Sequence, residues 1–374
     1  MEKKFDVKIA IAHDYLNQFG GAERVVEALH EAFPEAPIFT SIYLPHKLPD
    51  SFRKMDIRAS FMQHLPFLEK HFKKYLLLYP LAFERFDLSA YDVVLSSSSA
   101  FGKGIKKGPN TCHICYCYSP MRFVWRYEDY IEKEDLGVAI KLILPFFLNW
   151  LKKWDLRTNE SVDYFVAISN YIAKRIENFY NRRSDVIYPP VNTGNFEPSA
   201  DVQDYFLIVS RLNAYKKIDI AIKAFNELGL PLKIIGEGPY KKQLMAIAGK
   251  NVEFLGKIPD KELPGYYAEC RAFIFPGEED FGITPVEAQA AGRPVIAYGS
   301  GGALETIVEN RTGVFFREQN EGSLIEVVNR FANMHFDSSM IRENAMKFDK
   351  EKFKDKIREY VEEKYREHRD AKRK

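Results

Sequence analysis

The sequence predicts an α/β protein built from two doubly wound domains, each a parallel sheet covered by helices. Three observations carry that expectation. At 374 residues the chain exceeds what one hydrophobic core usually supports. Both halves alternate short apolar runs with segments of helical period, as strand–helix–strand units do. Between them, the proline-rich stretch "VIYPPVNTGNFEPSADVQDY" (186–205) reads as an exposed connection.

In the first half "VKIAIAHD" reads as a buried strand and "GGAERVVEALHEAF" as the helix after it. The runs "APIFTSIY", "DVVLSSSS", "TCHICYCY" and "YFVAISN" are the next strands, and "YIAKRIENFY" is a helix. The second half starts again at "YFLIVSRL" and passes through helix "IDIAIKAFNEL", strand "PLKIIGEG", helix "YKKQLMAIAG" and strand "VEFLGKI". It ends with helix "KELPGYYAEC", strand "AFIFPG", helix "TPVEAQAAG", strand "PVIAYGS" and helix "ALETIVEN". The expected domains are 1–197 and 198–348, with a charged helix at 349–374 packing back on the first. Two such domains on one linker would leave a cleft, and open α/β sheets bind ligands beyond the carboxyl ends of their strands.

Composition narrows the function. Hydrophobic residues make up 46% and charged residues 28%, as in an ordinary folded protein. A net charge of +2 carries no nucleic-acid signature. Two stretches are basic, "KGIKKG" at 103–108 and the terminus "EKYREHRDAKRK"; a solvated helix end explains the latter as well as a partner does. The opening "MEKKFDVKIAIAHDY" has too short an apolar run for a signal peptide, and four cysteines point to a reducing compartment, so a cytoplasmic location is expected. Cys112, His113, Cys115 and Cys117 alternate faces on a strand, which favours a buried strand over a metal site.

The segments at 64–83 and 137–156 mix aromatics, leucines and lysines, and charge or proline interrupts both, so neither is a spanning helix. Each could lie in a lipid headgroup region or pack on its own domain. The clustering of Phe146, Phe147, Trp150 and Trp154 raises the interfacial reading, peripheral on the inner face of the plasma membrane.

The unusual residues sit at strand ends. Gly20 and Gly21 precede a helix whose first amides could meet an anion, although the G-x-G-x-x-G dinucleotide fingerprint is absent. In "SRLNAYKKIDIAIKAF", Arg211 follows a strand and Lys216 and Lys217 precede a helix, a junction suited to a diphosphate. In "GEEDFGITPVEAQAAG", Pro285 suits a first helical turn, which would also hold Glu287. The amides of Phe281, Gly282 and Ile283 could contact a phosphate there, while the carboxylates accept hydrogen bonds from sugar hydroxyls.

Glu279-Asp-Phe281-Gly282-Ile-Thr-Pro285-Val-Glu287-Ala, after a strand and before a helix, resembles the motif of the retaining glycosyltransferases of family 4. These have the two-domain GT-B fold. The similarity runs through "GGAERVV", "YSPMRFVW", "VAISNYIAKRI", "IYPPV", "IIGEGP", "FLGKIPD" and "GGALETI", essentially the whole chain. It implies that Glu279 contacts hydroxyls of the transferred sugar and Glu287 the ribose of the nucleotide. It further implies that Arg211 and Lys217 hold the donor diphosphate, Lys217 fitting better than Lys216, and that Gly20 and Gly21 close near it. No metal cofactor is implied, because the cations and a helix dipole carry the leaving-group charge.

One position departs from the pattern. Similar bacterial members have a histidine in "C-H-T-P-M-R", where this chain has "CYSPMR" and so Tyr118. Tyrosine donates a hydrogen bond but is a poor base, which fits a front-face retaining mechanism. His13 and His113 could substitute, or be structural. The base pocket is expected near "FLGKIPDKEL", with Ile258 packing on a purine. Asp260 would either accept from guanine or cap the next helix. The resemblance to bacterial mannosyltransferases of polysaccharide and O-antigen (lipopolysaccharide) assembly implies GDP-mannose as donor, with a UDP-sugar behind it, and a lipid-linked or oligosaccharide acceptor. A nucleotide-sugar epimerase of the same fold is the alternative reaction.

Overall fold

The computed structural model describes residues 7–125 and 138–373, the side chains of 138–143 aside. The chain divides into two compact units, residues 1–188 with 353–374 and residues 189–352. Residues 189–197, expected in the first domain, lie in the second unit. Val191 pairs with Asp349 there, and the Arg342 guanidinium donates to the Phe196 carbonyl.

The first unit holds a parallel sheet of seven strands in the order β3-β2-β1-β4-β5-β6-β7. They are β1 (Ile9–His13), β2 (Ile38–Thr40), β3 (Ile57–Ala59), β4 (Val93–Ser98), β5 (Cys112–Cys117), β6 (Tyr164–Ala167) and β7 (Ser184–Val186). β1, β4 and β5 are buried along their whole length, as a sheet covered on both faces requires. The unit's helices are α1 (Gly21–Ala32), α2 (Leu68–His71), α3 (Tyr79–Glu84), α4 (Arg122–Trp125), α5 (Val138–Asn159) and α6 (Asn170–Tyr180).

The second sheet has six parallel strands in the order β10-β9-β8-β11-β12-β13. These are β8 (Phe206–Val209), β9 (Leu232–Ile235), β10 (Val252–Gly256), β11 (Ala272–Phe275), β12 (Val295–Tyr298) and β13 (Gly313–Phe316). Around them lie α7 (Ile218–Leu228), α8 (Lys241–Ile247), α9 (Leu263–Glu269), α10 (Ile283–Ala290), α11 (Ala303–Thr306), α12 (Glu321–Phe331) and α13 (Ser338–Ala345). The last helix, α14 (Lys350–Arg373), starts in this unit, and its residues from Phe353 on belong to the first. There Phe353, Ile357 and Val361 are buried, and Lys354 pairs with Glu31 at 3.1 Å. Two of its cations pair within the helix, Arg366 with Glu362 and the half-buried Lys364 with Glu363 and Glu367.

Two buried charges organise the first unit. The Asp14 carboxylate, just past β1, accepts from the hydroxyls of Ser98 and Ser99 and from the amides of Ser99, Ala100, Phe101 and Gly102. It thereby anchors the loop that leaves β4. Close by in sequence, the Lys103 ammonium donates to Asp155 Oδ1 at 2.6 Å and to Thr158 Oγ1 at 2.8 Å. Asp155 also accepts from Trp125 Nε1 at 2.7 Å and from the Tyr180 hydroxyl. One buried ion pair thus ties α4, α5 and α6 to the β4–β5 loop. "KGIKKG" is therefore no basic patch: Lys103 is buried, and Lys107 pairs with Asp163 at 2.5 Å.

The apolar segments divide in the structure. Residues 64–83 form α2, a 3-10 turn and the start of α3 rather than one helix, with Tyr79 and Phe83 buried and Phe67 exposed. Of residues 137–156, Gly137 and the side chains of 138–143 lie outside the described set. Phe146, Phe147 and Trp150 are exposed on α5. Trp154 is not: it is buried, and its Nε1 donates to Glu84 at 2.7 Å. Trp154 lies one turn further along the same side of α5 as Trp150, where Glu84 and the Lys103 ammonium cover it. Among the described residues, no helix is long and apolar enough to cross a membrane.

Replacing Lys103 by Met should cost about 3–5 kcal/mol, because Asp155 would stay buried without its counter-charge. Urea denaturation measures this. Adding Asp155→Asn removes the stranded charge and should recover much of the loss; simply additive losses would refute the coupling.

Candidate functional site

The strand order of the second sheet turns round between β8 and β11, which are neighbours though not consecutive. Their connections leave for opposite sides and open a crevice at the C-terminal ends. Ser210 and Arg211 continue β8 there, and Pro276 to Glu279 continue β11. A 3-10 turn, Ala214–Lys216, folds the first of these loops back over the second. A Cβ on Gly277 would stand 3.0 Å from the Lys216 carbonyl, a contact tight enough that the loop would have to give by a few tenths of an ångström. The Lys216 ammonium meets the Glu279 carboxylate, and the two line a small pocket with Ser210, Pro276 and Gly277.

The second loop is held from its other side. The Gly302 amide donates to the Glu279 carbonyl at 2.8 Å, and Ser300 Oγ donates to Glu278 at 2.6 Å. A Cβ on Gly302 would fall 2.3 Å from Phe281 Cα. α10 then starts at Ile283, because Gly282 adopts φ of +90° and redirects the chain. Gly282 has no side chain to cap this helix, which leaves its first amides to another acceptor, such as an anion. Pro285 is the third helical residue, where its missing N–H costs no helical bond. Glu287 is consequently the fifth, beyond the first turn expected for it. It is buried, and the fully buried Tyr267 donates to its Oε2 at 2.9 Å.

The structure separates the two candidate lysines. Lys216 reaches Glu279; Lys217, the one expected to act, adopts φ of +56° as the residue preceding α7. That left-handed turn aims the two neighbouring side chains differently, which spacing alone does not reveal. Arg211 is exposed at the end of β8. Ile258 and Asp260 follow the edge strand β10, two strands away from the crevice. Asp260 does not cap α9: the residue preceding that helix is Glu262, and Asp260 sits exposed in the turn before it.

Gly20, Gly21 and Tyr118 lie in the first unit, at the C-terminal side of its sheet, whose order turns round between β1 and β4. Glu23 reaches back to the Gly20 amide at 2.8 Å, and Gly20 has no side chain to cap the amides of α1. The Tyr118 hydroxyl donates to the Ala22 carbonyl at 3.0 Å and lies 2.6 Å from Ser97 Oγ. Tyr118 is thus bonded to the first turn of the helix that Gly20 and Gly21 open. Burial pushes its hydroxyl well above the usual tyrosine range, so it acts as a donor and not as a base. Ser97 also meets His13 Nδ1, through its carbonyl at 2.9 Å and its hydroxyl at 3.1 Å. A carbonyl only accepts, so this nitrogen carries the hydrogen. His113 is a structural histidine: it bonds Ser96 at 2.9 Å, and burial pushes its pKa down to about 3. Asp14, Ser97 and Tyr267 were not singled out from sequence, and Lys216 was named there but ranked behind Lys217. Each is recognised by a partner far away in the chain.

Comparison with known proteins agrees with the family and the fold. Residues 19–195 match the model of Glycosyltransferase Family 4, and residues 195–354 that of Glycosyl transferases group 1. An uncharacterised glycosyltransferase of Methanocaldococcus jannaschii is 28% identical over 193 residues, 50% of this chain and 55% of that protein. The GDP-mannose-dependent alpha-(1-6)-phosphatidylinositol monomannoside mannosyltransferase of Mycobacterium tuberculosis is 30% identical over 42% of this chain and 49% of its own. The chain thus spans about half the length of these curated relatives. The alpha-1,3/1,6-mannosyltransferase ALG2 of Dictyostelium discoideum is 25% identical over 82% of this chain and 86% of its own. Among solved structures, the sucrose-phosphate synthase of Thermosynechococcus elongatus shares the fold, with a TM-score of 0.72 at 18% identity over 96% of this chain and 98% of its own. Anabaena HepE, solved with UDP, reaches 0.71 at 17% identity over 95% of this chain and 100% of its own.

Lys217→Gly should leave the fold intact and raise stability by up to about 1 kcal/mol, because glycine adopts the left-handed turn without strain. Denaturant titration checks this; a loss of stability would show that the Lys217 side chain holds the loop.

Proposed function

The chain belongs to the family-4 glycosyltransferases of GT-B fold, and on that premise we propose that it is a retaining enzyme moving mannose from GDP-mannose to a hydroxyl of a lipid-linked or saccharide acceptor. The observation that carries this reading is the meeting of Lys216 and Glu279 beside the uncapped start of α10. A donor diphosphate brings negative charge to that place. Lys216 then turns from Glu279 to the phosphates, and Arg211 and the first amides of α10 complete the anion site. Glu279, released from its partner, accepts hydrogen bonds from hydroxyls of the transferred sugar. Glu287, steadied by Tyr267, receives the ribose hydroxyls.

The sugar–phosphate C–O bond breaks and the bond to the acceptor oxygen forms on the same face. The acceptor's proton passes to the departing phosphate oxygen, in keeping with a Tyr118 hydroxyl that stays protonated. Arg211 and Lys217, with Lys216 and the helix N-terminus, carry the leaving-group charge, so added Mg²⁺ or Mn²⁺ is not required. Mannose as the sugar rests on the mannosyltransferase relatives, and guanine on the exposed Asp260 beyond β10. Phe146, Phe147 and Trp150, exposed beside Lys153, suit a peripheral position on the cytoplasmic membrane face, where a lipid-linked acceptor is reached.

A thermal-shift series with GDP-, UDP- and ADP-sugars should show GDP-mannose giving the largest rise in Tm, diminished in Lys216→Ala. Transfer in Glu279→Ala and Lys216→Ala should fall about 100-fold or more. A larger rise with a UDP-sugar would replace the donor, and epimerised sugar from donor alone would replace the reaction. Phe146→Ser with Trp150→Ser should reduce co-sedimentation with anionic vesicles while sparing transfer to a water-soluble acceptor; unchanged sedimentation would refute the membrane position.

A further inference from the structure

Away from the sugar site, three side chains of the first unit converge at the opposite end of its sheet. Cys112 is the first residue of β5, Asp163 immediately precedes β6, and His368 lies near the end of α14. One potential ligand atom from each lies within 4.8 Å of the other two. Cys112 is fully buried and His368 is 8% exposed. The imidazole has no hydrogen bond to account for that burial. Its Nε2 is buried without a partner, and its Nδ1 stands 3.8 Å from Asp163 Oδ2, beyond hydrogen-bond reach. Asp163 is already oriented, because its Oδ2 accepts from the His113 amide at 2.7 Å and from Lys107 at 2.5 Å. Metal-binding carboxylates are commonly steadied in this way by groups behind them.

We propose that Cys112, Asp163 and His368 form a binding site for one Zn²⁺ ion. A thiolate, an imidazole and a carboxylate together suit zinc, whereas Mg²⁺ and Ca²⁺ prefer oxygen donors throughout. A water fits the fourth position. The Lys364 carbonyl is a second candidate for it, since it lies 4.0 Å from Cys112 Sγ on the same helix as His368. Binding releases the thiol proton to solvent and forms the Zn–S bond, with no change of oxidation state. The role is structural: the ion joins α14 to the starts of β5 and β6, on the side away from His13 and Tyr118. Lys107 contributes an opposing positive charge beside the ligands, so affinity is lower than for a site without it.

The test uses the full chain without a histidine tag, stripped with chelator and dialysed. Zn²⁺ at about a hundredfold excess over Kd should raise Tm on the order of 5 °C. Co²⁺ should give a thiolate charge-transfer band in the near ultraviolet at one equivalent per chain. His368→Gln should lose both responses while keeping donor binding, and Cys112→Ser should lose the band. No Tm shift and no cobalt band in the wild-type chain would overturn the site, as would equal responses in His368→Gln. Because the readouts are metal binding and Tm, they stand whether or not the chain transfers mannose.

Discussion

A parallel sheet whose strand order turns round cannot cover the C-terminal ends of the two strands at the turning point, and the chemistry of this protein depends on that constraint. Between β8 and β11 the loops depart to opposite faces and leave their first residues side by side. Lys216 and Glu279 meet there from loops 63 residues apart in sequence. In the first unit the corresponding turning point, between β1 and β4, gathers His13, Asp14 and Ser97. Neither cluster needs a strand of its own; each follows from where the crossovers begin.

Precision at these points comes from backbone approach and from buried polar groups. Gly302 lets two loops of the second unit stack at a distance no side chain would permit, and Gly277 lets a third pack closely against them. In the first unit Asp14 does comparable work by binding successive amides of one loop. Buried charges of this kind add little net stability over an apolar core, but removing one partner is costly. They fix the position of a loop rather than strengthen the fold. The Lys103–Asp155 pair extends the same logic to α4, α5 and α6.

The acidic character of "EEDFGITPVE" is compatible with the proposed anion site. Glu278 is engaged by Ser300, Glu279 by Lys216 and Glu287 by Tyr267, so the three glutamates of this stretch each have a partner. In the proposed donor complex, a phosphate arriving there would meet Lys216 and the uncapped start of α10.

The sequence by itself determined the fold class and the neighbourhood of the site. Alternating periods announce a parallel sheet, and "GEEDFGITPVE" is a contiguous string whose glycine, proline and glutamates mark a strand–loop–helix junction. Short strands escaped it: "IRA" and "GVFF" are too brief for a periodic signal, and pairing with β2 and β12 makes them strands. Only the tertiary structure decided which of two adjacent lysines faces Glu279, because the second, Lys217, is itself left-handed and its backbone angle leaves no mark in spacing. The same holds for Trp154, which shares an aromatic cluster with exposed neighbours yet is itself buried. His368 and Cys112 stand 256 residues apart and were brought together by the return of α14 onto the sheet. Local pattern records which element a residue joins; which side chains meet across elements depends on how separate segments pack, and no local pattern records that.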